Sequence, residues 1–431
     1  MKKKFSYLVL AALSLVGLVS CGSKEEAAKT EITVQVETSW KPYYEEVIKK
    51  VMETHPNAEI KIKEAGSFDQ LDLIDSTDVT NPDIADVFAF PLDRLTGLAQ
   101  KGALAGFDAK ALADKVGGFG DYDNGLGGQL KLNDEYLGFP LNIETLVTFV
   151  NTANAKANGI DFSKPVDISN AKVNEVLIPL FNAWWGVAIT NGADIELLGM
   201  KDGKFYSDLT KNYEDLTDSQ RKAIDGLYEY WKINADAKTS IFDNKAAYGY
   251  MDEQFKVGNK GSIKVSGPWD VPNFMKQTNE GKDLEILPLS QITLNGQALK
   301  HWKGGWALGI NARIEEDKAK LELAQDLIAE IMNRDNAVKF FEVTGKIMPH
   351  VTKEVFENSE LSDINKKVVA SVISSYNESV ARPLFIEWGK VWQTWENGIL
   401  SWNTAKPKNA QEAYKELSAS FKAMMENIEN K

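Results

Sequence analysis

Residues 31–37 (EITVQVE) alternate Ile32, Val34 and Val36 with polar neighbours, the period of a strand that turns one face inward. Behind them Tyr44, Val47, Ile48, Val51 and Met52 fall at helical spacing, with Ser39 as a cap, Pro42 in the first turn and His55-Pro56 as the stop. Residues 58–63 (AEIKIK) alternate again. Strand, helix and strand in succession predict a βαβ unit, and with it a parallel sheet that carries helices on its faces. The pattern continues through a helix near 68–78, a strand over 84–90 behind Asn81-Pro82-Asp83, and a helix from Leu92 to Gly102. Residues 117–128 are glycine-rich and predict a flexible surface loop. Leu130 stands where G-x-G-x-x-G needs its third glycine, and Gly125 replaces the third oxygen ligand of an EF-hand loop. Short strands follow at 136–140 and 146–151. The second half is richer in helix: a stretch over 173–189 holds Trp184-Trp185-Gly186, and Thr217 with Gln220 forms a capping box before a helix that carries Leu227, Tyr230 and Trp231. A strand over 261–266 runs into Gly267-Pro268-Trp269, and another spans 304–311. Helices follow over 315–333 and 336–345, and the last helix covers 409–428. No repeat of fixed period is visible.

The first residues break this pattern. Lys2, Lys3 and Lys4 precede an apolar run over 5–19, and small residues crowd Cys21, the single cysteine of the chain. A basic start, a short apolar run and a small-residue cut site make a secretory signal over 1–20. The run Leu18-Val19-Ser20-Cys21-Gly22 resembles the lipobox of bacterial lipoproteins, in which the new N-terminal cysteine carries lipid. Residues 21–30 then form the lipidated cysteine and a solvated tether, with folding expected from Glu31. Cleavage removes three lysines and takes the net charge from −13 to −16. With no basic block elsewhere, nucleic acid is excluded as a partner. A chain of this length exceeds what one core supports, so two domains are expected, held by burial, since one cysteine forms no intrachain disulfide.

Catalytic motifs are sparse. His55, His301 and His350 stand far apart, none has a second His or Cys at ligand spacing, and neither G-x-S-x-G nor H-E-x-x-H occurs. Neither a cofactor nor a metal is expected. The unusual feature is eleven tryptophans. An indole offers a broad apolar face with a polar tip, and the C–H faces of a sugar stack on such a surface while its hydroxyls reach neighbouring charged groups. Trp269, on a turn after a strand, is placed to project into a cleft, and Trp184 and Trp185 are further candidates. Trp388, Trp392 and Trp395, at i, i+4 and i+7, form a stripe that serves core packing or ligand contact alike.

Asn81-Pro82-Asp83-Ile84, then Phe90-Pro91-Leu92-Asp93-Arg94, then Lys101-Gly102-Ala103-Leu104 resemble the maltose-binding and related sugar-binding proteins of ATP-binding-cassette (ABC) importers. The same likeness holds for Tyr136-Leu137-Gly138-Phe139-Pro140 with Glu144 close behind, Gly267-Pro268-Trp269, Gly305 with Gly309-Ile310-Asn311, and an aromatic segment after Arg382-Pro383. The resemblance implies a periplasmic-binding-protein-like α/β fold with discontinuous domains: 31–142 plus about 308–345, and about 146–303 plus 347–431. Hinges are expected near 142–146, 303–308 and 344–348. It implies ligand contacts from Lys41, Glu64, Phe90 (in place of the usual tryptophan), Asp93, Arg94, Glu144 and Trp269, with a late stacking tryptophan at Trp388 or, as the alternative, Trp392. The tyrosine that the family places before its proline is missing around 175–179, where Trp184 or Trp185 can compensate.

The expected activity is capture of a sugar, maltose, maltodextrin or another oligosaccharide, by a monomeric receptor. Its partners would be the permease subunits of an ABC importer, beside which a lipid anchor holds it on the extracytoplasmic face of the membrane. A glycan-active enzyme, or a receptor for another polar solute on the same fold, are the alternatives. Replacing Cys21 with alanine is expected to move the protein from membrane to medium with ligand binding intact, checked by fractionation followed by a binding assay on the released protein.

Overall fold

The computed structural model describes residues 29–429. The basic start, the apolar run, Cys21 and residues 24–28 of the tether lie outside them. Lys29 and Thr30 already belong to the folded body: Lys29 pairs with Glu59 at 2.8 Å, and Thr30 opens the first strand one residue before the expected start.

In the first of two main sheets, with six strands, Thr30–Val36 runs parallel to Ala58–Glu64 on one side and to Val87–Pro91 on the other. Trp302–Ile310 lies antiparallel to both Val87–Pro91 and Phe139–Glu144, and Val380–Ala381 joins its beginning in parallel. Lys41–Thr54 and Ser67–Ser76 are the predicted crossover helices. The second sheet has four strands in the order Leu284–Pro288, Val147–Asn151, Ile263–Ser266, Val176–Leu177, antiparallel except for the last pair. The chain passes from one sheet to the other between Glu144 and Val147 and returns at Trp302, which gives an α/β fold of two lobes built from discontinuous segments.

Gly304 and Gly305 let that return run close to the outgoing strand. A Cβ on Gly305 would stand 2.3 Å from the Asn142 carbonyl oxygen, and one on Gly304 3.0 Å from that of Glu144. Against Phe139–Glu144 the register shifts between Trp306 and Ala307, a bulge of the kind that re-aims side chains. A third segment crosses at the same level, where the Ile143 amide donates to the Ile347 carbonyl at 3.0 Å.

Several local expectations change. A 3-10 turn, Thr38–Trp40, precedes Lys41–Thr54, and no side chain caps that helix, so Ser39 does not serve as its cap. The strand expected over 84–90 begins at Val87, because the Ile84 amide closes a turn onto the Asn81 carbonyl at 3.0 Å. Residues 117–128 are partly core: Tyr122 and Leu126 are buried, and Tyr122 packs on Phe119 and Phe139 with centroids at 5.4 and 6.0 Å. The 173–189 stretch divides into the strand Val176–Leu177 and the helix Ala183–Gly192, capped by the Asn182 side chain. The Thr217–Gln220 capping box is present, and Gly345 ends Ala337–Thr344 at φ 69°.

Asp86, just before Val87–Pro91, ties three strands of the first sheet together. Its carboxylate accepts from the Thr33 amide at 2.7 Å and hydroxyl at 2.8 Å and pairs with Arg313 at 2.7 Å, while its carbonyl accepts from the Asn311 amide at 2.7 Å. Asp86→Ala leaves a mostly buried guanidinium without its counter-charge and is expected to lower the unfolding free energy by about 3 kcal/mol, read as an earlier midpoint in urea.

Candidate functional site

A cavity of about 530 Å³ opens where the two lobes face each other. One wall grows from the end of Val87–Pro91, whose continuation Leu92–Arg94 is a 3-10 turn that carries Asp93 and Arg94 into the cavity. Trp306 stands opposite Pro91 in the sheet register, and Phe68, 61 % exposed at the start of Ser67–Ser76, meets its indole edge-on at 5.3 Å. Glu144 and Lys346 come from the crossing segments. The Trp306 Nε1–H donates to Glu144 Oε2 at 3.1 Å, so the wall's aromatic face and its carboxylate are fixed together.

The other wall is aromatic. Trp184, in the first turn of Ala183–Gly192, lies with its centroid 6.3 Å from Trp269 and 6.4 Å from Trp392. Trp269 sits on the turn Pro268–Asp270 and is 44 % exposed. Its indole folds back over Gly267, where a Cβ would come within 2.0 Å of the ring. Arg382 completes this wall with its guanidinium 5.4 Å from the Trp184 ring and 5.2 Å from Trp302.

Ion pairs cross and brace the cleft. Arg382 holds Asp93 at 2.7 Å, and the Thr96 hydroxyl donates to the Leu384 carbonyl at 3.1 Å, both from one wall to the other. Arg94 is braced from behind by Asp75 at 2.5 Å, which also pairs with Lys101 at 3.2 Å. Burial alone would push the Asp75 carboxyl up, but hydrogen bonds from Arg94 and Lys101 bring it below the usual range. Two carboxylates, two guanidiniums, an ammonium and aromatic faces on both sides fit a polar ligand with apolar faces. Among the described residues no cluster of three or more His, Asp or Glu is arranged to hold a metal ion.

Asp93, Arg94, Glu144, Trp184 and Trp269 are thus brought together at the cavity. Phe90 is not: it is fully buried, because successive strand residues face opposite sides and the side turned to the cavity belongs to Pro91. Lys41 and Glu64 pair with each other at 3.3 Å beyond the cavity lining, with the Thr38 hydroxyl donating to Glu64 at 2.8 Å. Trp185 donates its Nε1–H to the Val265 carbonyl at 3.0 Å and packs on Tyr248. Trp388 is buried in the turn before Gly389–Leu400 and lines a neighbouring hollow of about 430 Å³, so the alternative, Trp392, faces the main cavity. Trp395 is core, donating to the Leu180 carbonyl at 2.8 Å. Phe68, Trp306, Lys346 and Arg382 were absent from the expected contacts. The spacing Trp302, Gly304, Trp306 carried a signal for Trp306, whereas nothing local marks Phe68 or Lys346.

The comparisons identify the family. Residues 46–367 match the family described as "Bacterial extracellular solute-binding protein", and the chain belongs to it. Among solved structures it is similar to the maltose-binding periplasmic protein MalE of Listeria monocytogenes in complex with maltose, at 18 % identity, TM-score 0.71, with 94 % of this chain and 99 % of that one covered. It is also similar to MalX of Streptococcus pneumoniae in complex with maltopentaose (19 %, TM-score 0.67, 91 % and 99 % covered) and to the ligand-free maltodextrin-binding protein MalE1 of L. casei BL23 (16 %, TM-score 0.65, 93 % and 100 % covered). At these identities the likeness is one of fold, the two-lobed α/β architecture. No curated protein matches. Among the described residues no helix is long and apolar enough to cross a membrane.

His301 packs under Trp184 with centroids at 4.5 Å, bonded through Nε2 to the Trp184 carbonyl at 2.8 Å. Burial, aided by Arg382 and opposed by that bond, pushes its pKa down to about 3, and burial likewise pushes His350 down to about 4. Both are neutral when folded, whereas the unfolded chain takes up protons below about pH 6.5. Their contribution is therefore intact above that pH and lost on acidification, by about 2 kcal/mol per histidine between pH 6.5 and 5. Urea midpoints measured from pH 7.5 to 5 are expected to fall accordingly, and more shallowly in His301→Gln.

Proposed function

We propose that this protein is a lipid-anchored receptor that captures an oligosaccharide of the maltodextrin type between its lobes and delivers it to the permease subunits of an ABC importer, without chemistry of its own. The observation that carries the reading is the cavity itself: Trp184, Trp269 and Trp392 face Trp306 and Phe68 across it, with Asp93, Arg94, Glu144 and Arg382 at its polar edges. Stacked faces and hydroxyl-binding charges in one cleft are what a sugar chain requires. The complexes of similar fold with maltose and maltopentaose support the choice of sugar, and membership of an extracellular family supports an extracytoplasmic site of action. The lobes in this reading are 31–142 plus about 308–345 and about 146–303 plus 347–431, the receptor works as a monomer, and Cys21 carries the lipid.

Thermal shift over a panel of sugars, polyamines and anions tests the reading, because a ligand that binds only the folded state raises its melting temperature. Maltodextrins are expected to give the largest shift and to remain uncleaved; a shift with polyamines alone, or turnover of the sugar, would overturn it. Trp269→Ala is expected to weaken sugar binding about three- to tenfold and Arg94→Ala about tenfold, from the loss of one stack and one charged hydrogen bond. Isothermal titration checks both, and the ligand-free melting temperatures are expected to stay near that of the wild type, since Trp269 is half exposed and Arg94 lies at the surface of the cleft.

A further inference from the structure

Among the described residues, Lys346 is the basic side chain of the cavity that makes no ion pair, Arg94 and Arg382 each being matched by an aspartate. Its ammonium lies 4.8 Å from the Trp306 ring and 5.2 Å from the Trp40 ring, with no carboxylate oxygen within 4.0 Å. The two acids that act on it, Glu144 and Glu37, already accept from neutral donors: Glu144 from the Trp306 indole at 3.1 Å and Glu37 from the Ser67 hydroxyl at 2.7 Å. An ammonium placed this way, half-buried between two rings at the cavity wall, has lost part of its hydration without a counter-ion in direct contact. Cation–π contact with two indoles offsets part of that loss and leaves its N–H donors unused. Geometry brings it beside an acceptor: Lys346 and Glu144 both line the cavity, from chain segments held side by side by the bond between Ile143 and Ile347.

We propose that Lys346 and Glu144 act as a matched donor and acceptor for one hydroxyl of an uncharged sugar, the ammonium donating to its oxygen while the carboxylate accepts its proton. The proposal rests on the saccharide reading above and adds to it a ligand class, neutral rather than acidic saccharides, and Lys346 as a residue that determines it. A hydroxyl satisfies both partners at once. A uronate carboxylate that reaches Lys346 brings its charge against Glu144 and finds no proton to give, so the pair that welcomes one ligand repels the other. Because both residues sit where the chain crosses between lobes, the contact also lies at the hinge, where a bound hydroxyl fixes the crossing segments relative to each other.

Isothermal titration of the full mature protein with maltotriose, and with maltotriose oxidised at C6 to glucuronate units, tests this. Wild type is expected to bind the neutral sugar at least about tenfold more tightly than the acidic one. Lys346→Met, which keeps the aliphatic stem on the two indoles, is expected to lose about tenfold for maltotriose, and Lys346→Arg to recover part of that loss, with ligand-free melting temperatures unchanged. Glu144→Gln, which alters the charge without altering the shape, is expected to narrow the preference for the neutral sugar. Unchanged affinity in Lys346→Met, equal weakness in the Met and Arg variants, or equal or tighter binding of the uronate by wild type would each overturn this inference alone. Absence of maltotriose binding by wild type would overturn the maltodextrin reading, and this inference with it.

Discussion

The strand Trp302–Ile310 pairs on both edges, and most of the cleft depends on that constraint. Its register sets Trp306 opposite Pro91 on one side and Asn142 on the other. Through Pro91 the pairing positions the Leu92–Arg94 turn with Asp93 and Arg94; through Asn142 it positions Glu144 two residues on. Central strands of a sheet tolerate little displacement, because a slip of one residue would reverse which side chains face the core. The bulge after Trp306 releases this demand at one place only, and the indole is held there by its bond to Glu144. A rigid sheet thus delivers an aromatic face, a carboxylate and a guanidinium to one wall, while Gly304 and Gly305 keep the outgoing and returning strands within contact distance.

The opposite wall is organised by helices and turns, and its rigidity comes from packing between indoles. Trp302, Trp388 and Trp392 meet edge-to-face at 4.8 to 6.0 Å, behind the surface that Trp184 and Trp392 present to the cavity. Edge-to-face contacts place the positive ring edges against the negative ring faces, a preferred geometry worth about 0.5–1.5 kcal/mol per pair beyond the area buried. Arg382 is pinned between Trp184 and Trp302 and reaches across to Asp93. Trp388 therefore supports the wall from behind, which is why a stripe at i, i+4 and i+7 divides into a support, a cavity-facing ring and, at Trp395, a core anchor.

The legible part of the fold was the part governed by local periodicity. The alternation of Ile32, Val34 and Val36, the helical spacing of Tyr44 to Val51, the Thr217 capping box and the Gly345 stop each follow from interactions within one element, and each is found as expected. Phe90 shows where this ends: parity along a strand is readable, but which parity faces the cleft is decided by the partner strand and the covering helices. The cleft residues on turns, Asp93, Arg94 and Trp269, were marked by their motifs. Phe68 and Lys346 carried no local mark, since each reaches the cavity only through contacts distant in sequence. Ser39 lost its role to the 3-10 turn that precedes its helix, a competition between two hydrogen-bonding patterns that composition does not decide.

A ligand shifts two lobes only by the difference in its free energy with them apart and together. In this cleft the lobes already hold each other through the Asp93–Arg382 pair and the Thr96–Leu384 bond, both near the edge shared with the neighbouring hollow. Among the described residues no ring of one wall contacts a ring of the other, so the aromatic faces contribute to closure only through something placed between them. With each stack worth about 0.5–1.5 kcal/mol, rings on both walls together supply a bias of a few kcal/mol, enough to reverse a preference of the size usual between lobe arrangements. Charge pairing between the walls thus sets where the lobes meet, and the indoles set what must lie between them for that meeting to be favoured.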